Sequence, residues 1–95
     1  MKKIINNLLY DTFNAYFINE YYDSSYSILS SYSISERLFI TKNNRFFIHK
    51  HKTELILLNY ETYDDIIALS SKEAFEYMKK YCPEKIEYYF KIKDA

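Results

Sequence analysis

The chain of 95 residues contains no glycine, no tryptophan, one proline and one cysteine. Without glycine, neither the Gly-x-Ser-x-Gly elbow of many hydrolases nor a glycine-rich phosphate loop can be built. The single thiol, Cys82, has no partner for an intrachain disulfide and excludes a cysteine-based zinc cluster, which fits a reducing compartment. We therefore expect a non-enzymatic, cytoplasmic protein that needs no cofactor and no metal.

Excess charge of either sign is also missing, because 13 Lys and Arg residues balance 13 Asp and Glu residues. This balance argues against a basic nucleic-acid binder held by counterion release and against an acidic mimic of a nucleic-acid backbone. Polar residues interrupt the apolar stretch of residues 1–13, and no small-residue cleavage site follows it. The sequence therefore predicts neither a signal peptide nor a membrane span there.

Apolar and aromatic residues are abundant: 48% of the chain is hydrophobic and 20% is aromatic, including 12 tyrosines. This composition predicts a folded core and not a disordered chain. A chain of this length builds one core, so we expect a single domain over residues 1–95.

The N-terminal residues predict an amphipathic helix over about residues 3–22. Its apolar positions recur at helical spacing, and asparagine and aspartate occupy the other side. The apolar positions are Ile5, Leu8, Leu9, Phe13, Tyr16 and Phe17.

A six-residue unit then occurs twice, as residues 24–29 and 30–35. Because its period is even, a continuous strand would place Tyr26, Ile28, Tyr32 and Ile34 on one face and serines on the other. One interpretation is a strand with a solvated serine face. The alternative is a semi-ordered tyrosine–serine loop that becomes ordered on a partner.

The middle of the chain predicts strands. Residues 37–40 and 45–50 are joined by Thr41-Lys42-Asn43-Asn44, whose asparagines can adopt the positive φ of a hairpin turn. The run Leu55-Ile56-Leu57-Leu58 within residues 54–60 indicates a central strand covered on both faces.

A second helix is predicted to begin at a capping box formed by Ser70 and Glu73 and to end at Pro83. Its buried stripe is expected to be Ala74, Tyr77, Met78 and Tyr81. Residues 83–93 suit either a strand or a short helix, and the helix is favoured. Together these elements predict an α+β fold, in which the N-terminal helix and the second helix pack on one face of three or four antiparallel strands.

Two segments resemble small proteins of bacterial mobile elements and phages. The first is the hairpin Arg37-Leu38-Phe39-Ile40-Thr41-Lys42-Asn43-Asn44-Arg45-Phe46-Phe47-Ile48-His49, and the second is the helix start Ile66-Ile67-Ala68-Leu69-Ser70-Ser71-Lys72-Glu73-Ala74-Phe75-Glu76-Tyr77. This chain has Asn44 where that pattern usually has glycine. The resemblance implies an accessory protein of a mobile element, such as an anti-CRISPR inhibitor of host defence.

Two groups of residues suggest possible chemistry. His49-Lys50-His51 would place both imidazoles on one strand face and could begin a metal site, but no third ligand is evident, so a solvated strand end is favoured. Asp64-Asp65 could form an acid–base pair or a cation site, yet a solvated turn before Ile66 is favoured. Cys82 is expected to be an inert, partly buried thiol.

Protein binding is the favoured function, because four tyrosines are too many rings for the core of so small a domain. These are Tyr21, Tyr22, Tyr26 and Tyr32. We expect an inhibitor that occludes a larger protein or ribonucleoprotein complex, with a CRISPR–Cas effector as the foremost candidate. The charged flanks of this surface would be Arg45, Lys50, Lys52, Asp64 and Asp65.

Two alternatives remain open at this point. Lys42, Arg45, Lys50 and Lys52 are interleaved with Phe46 and Phe47, which is typical of a basic sheet edge that stacks nucleobases. The chain could also be a structural homodimer that pairs exposed strand edges or tyrosine faces.

Overall fold

The computed structural model describes all residues, Met1–Ala95, and its elements are mainly strands. A two-stranded hairpin comes first, followed by a four-stranded antiparallel meander in the order β3-β4-β5-β6 and then one helix. The elements are β1 (Lys2–Ile5), β2 (Leu8–Asp11), β3 (Tyr16–Tyr26), β4 (Ser30–Ile40), β5 (Phe46–Ile56), β6 (Asn59–Leu69) and α1 (Ser71–Tyr81). Short 3-10 turns occupy Thr12–Asn14 and Pro83–Tyr88. The predicted α+β class and the antiparallel sheet are confirmed.

Only one half of the four-stranded sheet is covered. On one face α1 and the turn after it bury Leu38 and Ile48 among other side chains, and on the opposite face β1 and β2 bury Phe39 and Phe47. Successive side chains of a strand point to opposite faces, so adjacent residues of β4 and β5 enter two separate clusters. We call this part, next to Ile40, Phe46 and Leu69, the covered half.

The other half of the sheet extends beyond these layers with both faces open. The four strands are each 11 residues long and run through both halves, and the molecule measures 50 × 36 × 18 Å. We call this part, which ends at the two turns Ser27–Ser30 and Leu57-Leu58, the projecting half. Backbone hydrogen bonds between its strands hold this half together, and none of its side chains is fully buried.

The capping box at the start of α1 is confirmed. The backbone N–H of Glu73 donates to Ser70 Oγ at 3.1 Å, and the backbone N–H of Ser70 donates to Glu73 Oε1 at 2.9 Å. Ala74 and Met78 are fully buried against the sheet. Pro83 follows the helix end as predicted, and residues 83–88 form a 3-10 turn, which agrees with the favoured helical interpretation in part. This helix is too short and too polar to cross a bilayer.

The predicted N-terminal helix over residues 3–22 is wrong. Asn6 and Asn7 adopt φ of 51° and 64°, and these two residues form the turn between β1 and β2. Positive φ at both central residues is the signature of a tight hairpin turn, and asparagine tolerates it well. The helical spacing of the apolar residues was fortuitous, since Leu9 and Phe13 are exposed and Tyr10 is the buried ring.

The serine–tyrosine repeat forms neither one strand nor a loop. Its first copy ends β3 and its second begins β4, and the turn Ser27–Ser30 joins them. Because this turn reverses the chain, Tyr26 pairs with Ser31 and shares its face, while Tyr32 lies on the opposite face beside Ser25. The predicted grouping of Tyr26 with Tyr32 is therefore wrong.

The hairpin of residues 37–50 is confirmed, with Asn44 at φ 61° in its turn. The central strand predicted for residues 54–60 is wrong, because the chain turns at Leu57 and Leu58 and residues 59 and 60 belong to β6. The apolar run Leu55-Ile56-Leu57-Leu58 predicts burial, yet Leu58 is 94% exposed.

Candidate functional site on the projecting half of the sheet

The end of the projecting half carries a group of exposed aliphatic side chains. Ile28 is 97% exposed and Leu58 is 94% exposed, and Leu29 and Leu57 are also largely in water. The backbone N–H of Leu57 donates to the carbonyl of Leu29 at 3.1 Å, so the two turns lie side by side. We call Ile28, Leu29, Leu57 and Leu58 the apolar tip.

The apolar tip surrounds a concave surface. A cavity of about 370 Å³ lies between the two turns, and Leu29, Leu55, Leu57 and Leu58 contribute most of its apolar lining. Tyr26, which is 88% exposed, stands at its rim. Contiguous exposed apolar surfaces are rare on monomeric proteins, and where they occur they commonly mark an interaction site.

The turn within the apolar tip uses residues that fit its backbone poorly. Leu57 and Leu58 have φ of 48° and 71°. A left-handed conformation costs an ordinary L-residue about 1–2 kcal/mol, because the Cβ approaches a carbonyl oxygen. The side chain of Leu58 is 94% exposed and that of Leu57 is 67% exposed, so burial offsets little of this cost.

The four tyrosines predicted to bind a partner lie on two faces. Tyr21 packs on Tyr81 of α1 with ring centroids 4.4 Å apart, and Tyr32 donates to Asp23 Oδ2 at 3.3 Å. Tyr22 and Tyr26 point to the opposite face and are exposed. Tyr60 is also exposed, beside Leu55. The sequence does not reveal this ring as a binding residue, because the apolar run within residues 54–60 resembles one continuous strand.

Asp64 holds two histidines. Its Oδ1 lies 2.9 Å from His49 Nε2 and 3.0 Å from His51 Nδ1, and Thr53 Oγ1 lies 3.3 Å from the other nitrogen of His51. Hydrogen bonds from His51 and His49 lower the pKa of the Asp64 carboxyl. An ionised carboxylate accepts only, so each ring donates through the nitrogen that faces it.

These residues correct two predictions. His49 and His51 share a face as expected, but they contact Asp64 and do not form a solvated strand end. No group of three or more His, Cys, Asp or Glu side chains is arranged to hold a metal ion. Asp64 and Asp65 lie within β6 and not in a turn before Ile66, and strand alternation places them on opposite faces.

Asp65 joins the N-terminal hairpin to the sheet. Lys3 Nζ lies 2.6 Å from Asp65 Oδ1, the hydroxyl of Tyr63 donates to Oδ2 at 3.1 Å, and the N–H of Ile66 donates to Oδ1. The hydrogen bond from Lys3 is the largest cause of the lowered pKa of the Asp65 carboxyl. Asp65 is therefore engaged within the fold.

The basic hairpin predicted to stack nucleobases does not form one surface. Phe46 and Phe47 are buried in the two opposite clusters, so neither ring is available for stacking. Arg45 lies in the turn at the covered end, whereas Lys50 and Lys52 lie along β5, a central strand and not a sheet edge. Lys52 also pairs with Glu54 at 2.7 Å.

Cys82 is buried in the cluster between α1 and the sheet, and Tyr77 is half-buried against the same cluster. Cys82 is fully buried rather than partly buried as predicted, and burial raises the pKa of its thiol, which favours the unreactive protonated form. The Tyr77 hydroxyl is buried without a hydrogen-bond partner, and burial raises the pKa of this hydroxyl also. Neither group faces the projecting half.

Comparison with known proteins found no match among protein-family models, curated proteins or solved structures.

Proposed function

We propose that this protein is a non-enzymatic binding module that inserts its apolar tip into an apolar recess of a larger protein. The observation that carries this proposal is the turn at Leu57-Leu58. It combines an unfavourable backbone conformation with exposed leucines, and neither property stabilises the free chain. A feature that lowers the stability of the isolated domain is expected where a partner compensates for it.

The chemistry of the apolar tip favours a protein partner. Ile28, Leu29, Leu57 and Leu58 include no cation, and the nearest lysine in sequence, Lys52, is paired with Glu54. Attraction to anionic lipid or nucleic-acid phosphates is therefore absent at the tip. The cavity between the turns is suited to an apolar anchor side chain of a partner, which is the usual centre of a protein interface.

Exposed tyrosines extend this surface along the sheet. Tyr26 and Tyr60 flank the apolar tip at 88% and 66% exposure, and Tyr22 follows farther along β3. Tyrosine supplies a large contact area with few rotatable bonds, so these rings suit the rim of the interface. Of the four tyrosines named from the sequence, Tyr22 and Tyr26 are assigned to this surface.

Such binding would inhibit the partner by steric occlusion, without any reaction catalysed by this protein. That the partner is a bacterial defence complex, such as a CRISPR–Cas effector, stays a prediction that rests on the resemblance of residues 37–49 and 66–77. The covered half would remain outside the recess and block access to the partner's own site.

A photo-crosslinking amino acid at position 58 tests the proposal. In cells that contain the partner, we expect one dominant crosslinked protein from position 58 and none from the same amino acid at position 13. Phe13 is the matched control, because it is 92% exposed but lies near the covered half. Equal crosslinking from both positions would count against the proposal, as would a crosslink to lipid from position 58.

The homodimer alternative predicts a different crosslink. A second copy of this chain would appear at about twice the 11.6 kDa mass of the monomer. The sheet has two edge strands, β3 and β6. Their distal parts are open for such pairing, whereas nearer the covered half Lys85 Nζ binds the carbonyl of Ile18 and Lys3 Nζ binds Asp65 Oδ1, each at 2.6 Å. A crosslink from position 58 to a second copy of the chain would favour this homodimer over binding to a different protein.

A further inference from the structure

One open face of the projecting half carries hydroxyl groups in register across all four strands. Ser24, Ser33, Thr53 and Thr62 are consecutive cross-strand partners and form one row. Since adjacent strands lie about 4.8 Å apart, this row extends about 14 Å across the sheet. A cavity of about 310 Å³ lies along it.

The neighbouring rows place larger side chains on the outer strands. Toward the apolar tip, the next row is Tyr26 of β3, Ser31 of β4, Leu55 of β5 and Tyr60 of β6. On the other side, the row is Tyr22 of β3, Ser35 of β4, His51 of β5 and Asp64 of β6. The face is therefore a trough with serines along β4 and with three tyrosine rings at its edges. We call it the serine trough.

The Asp64 end of the serine trough is polar and preorganised. A second cavity of about 360 Å³ lies there, between Tyr22, Ser35, His51 and Asp64. Asp64 Oδ1 is held by two imidazoles, so the carboxylate is fixed in position while it stays about half exposed. An aspartate of ordinary pKa, about 4, is already ionised at neutral pH, and the hydrogen bonds from His51 and His49 lower the pKa of Asp64 further, so its carboxylate is a strong acceptor.

The charges along the serine trough restrict the class of ligand. Asp64 and Glu20 are acidic, and the one arginine of this face, Arg37, is paired with Glu20 at 2.7 Å. An anionic chain such as nucleic acid would be repelled. A purely apolar ligand would leave the row of hydroxyls without partners, which is unfavourable.

We propose that the serine trough binds a neutral oligosaccharide. The C–H faces of sugar rings would pack on Tyr22, Tyr26 and Tyr60, as amphipathic aromatic rings allow. Sugar hydroxyls would exchange hydrogen bonds with Ser33 and Thr53, whose hydroxyls both donate and accept. The Asp64 carboxylate would accept from a sugar hydroxyl. This site shares its three tyrosines with the rim of the interface proposed above, but its hydroxyl row and Asp64 lie away from the apolar tip.

The test is a screen on an array of neutral glycans, followed by titration calorimetry with maltohexaose, cellohexaose and chitohexaose. Ser33→Tyr fills the centre of the trough with a residue that strands favour, so it is expected to abolish binding without unfolding the sheet. Tyr22→Ala removes one wall and is expected to weaken binding by about three- to tenfold. Tyr63→Ala is the matched control, since Tyr63 is an exposed ring on the opposite face and its loss should leave the affinity unchanged.

Binding of a neutral glycan that Ser33→Tyr abolishes and Tyr63→Ala preserves would support the proposal. It is overturned if no neutral glycan binds, if binding survives Ser33→Tyr, or if an array of extended peptides binds instead. Leu57→Asn with Leu58→Asn is expected to retain glycan binding, so failure at the tip and failure at the trough can be told apart.

Discussion

Asn7 and Leu58 occupy the same position in two hairpin turns of one chain, with φ of 64° and 71°. In each case two residues with positive φ join paired strands, Ile5 to Leu8 and Ile56 to Asn59. The first turn uses the residue type that this backbone favours, and the second uses leucine. The same chain therefore uses asparagines, which favour this backbone, in one turn. It uses a pair of exposed leucines in the other turn, at the end of the projecting half.

Replacing the leucine turn by the asparagine turn is expected to stabilise the protein. Leu57→Asn with Leu58→Asn relieves part of the left-handed strain at each of two residues, since asparagine still bears some of this cost, and the free energy of unfolding should rise by about 1–2 kcal/mol in total. Urea denaturation followed by circular dichroism measures this change. The reverse exchange, Asn6→Leu with Asn7→Leu, should lower stability by a similar amount. A loss of stability in the tip variant would show that the leucines support the fold.

The start of α1 depends on the hydroxyl of Ser70. Ser70→Ala removes the acceptor of the Glu73 N–H and is expected to lower the free energy of unfolding by about 1 kcal/mol. Ser71→Ala is the control, because Ser71 is exposed and makes no side-chain cap, and it should change stability little. If both variants unfold at the same urea concentration, the capping box does not hold this helix.

Met78 anchors α1 to the covered half. It is fully buried beside Ala74 and Cys82, so Met78→Ala should cost about 2–5 kcal/mol by leaving a cavity. That is a large part of the stability of a domain this small. The exposed neighbour Lys79→Ala is the control for a change in helix composition. Thermal unfolding by circular dichroism should show a much lower midpoint for Met78→Ala alone.

Because of Asp64, the stability of the projecting half is expected to depend on pH and to fall in acid. Its pKa is lower in the folded chain than in the unfolded chain, so the ionised carboxylate stabilises the fold above the ordinary value of about 4. This contribution is lost as the pH falls through the folded pKa. Side-chain carboxyl NMR should place the Asp64 midpoint below that ordinary value. A midpoint at or above it would contradict the contacts with His51 and His49.

Local signals in the sequence were sufficient for part of the fold. The turn at residues 41–44, the capping box of Ser70 and Glu73, and the stop at Pro83 are set by backbone chemistry within a few residues. These elements were located correctly. The class of fold followed from them, because strands and one amphipathic helix have few ways to share a core.

The errors arose where apolar spacing and turn chemistry disagreed. Asn6-Asn7 is a turn signal that lay inside an apparently helical pattern, and the turn determined the structure. Leu57-Leu58 gave no turn signal at all, because leucine disfavours positive φ. The contacts of Asp64 with His49 and His51 depend on the register of β5 with β6, which the misplaced strand at residues 54–60 concealed.

The most direct measurement of the central claim is partner capture by the protein with Leu57→Asn and Leu58→Asn, compared with the unaltered chain and with Phe13→Ala. We predict that the tip variant, although more resistant to urea, recovers less than a tenth of the partner identified by crosslinking. Phe13→Ala should recover as much as the unaltered chain. Full recovery of the partner by the tip variant would contradict the account.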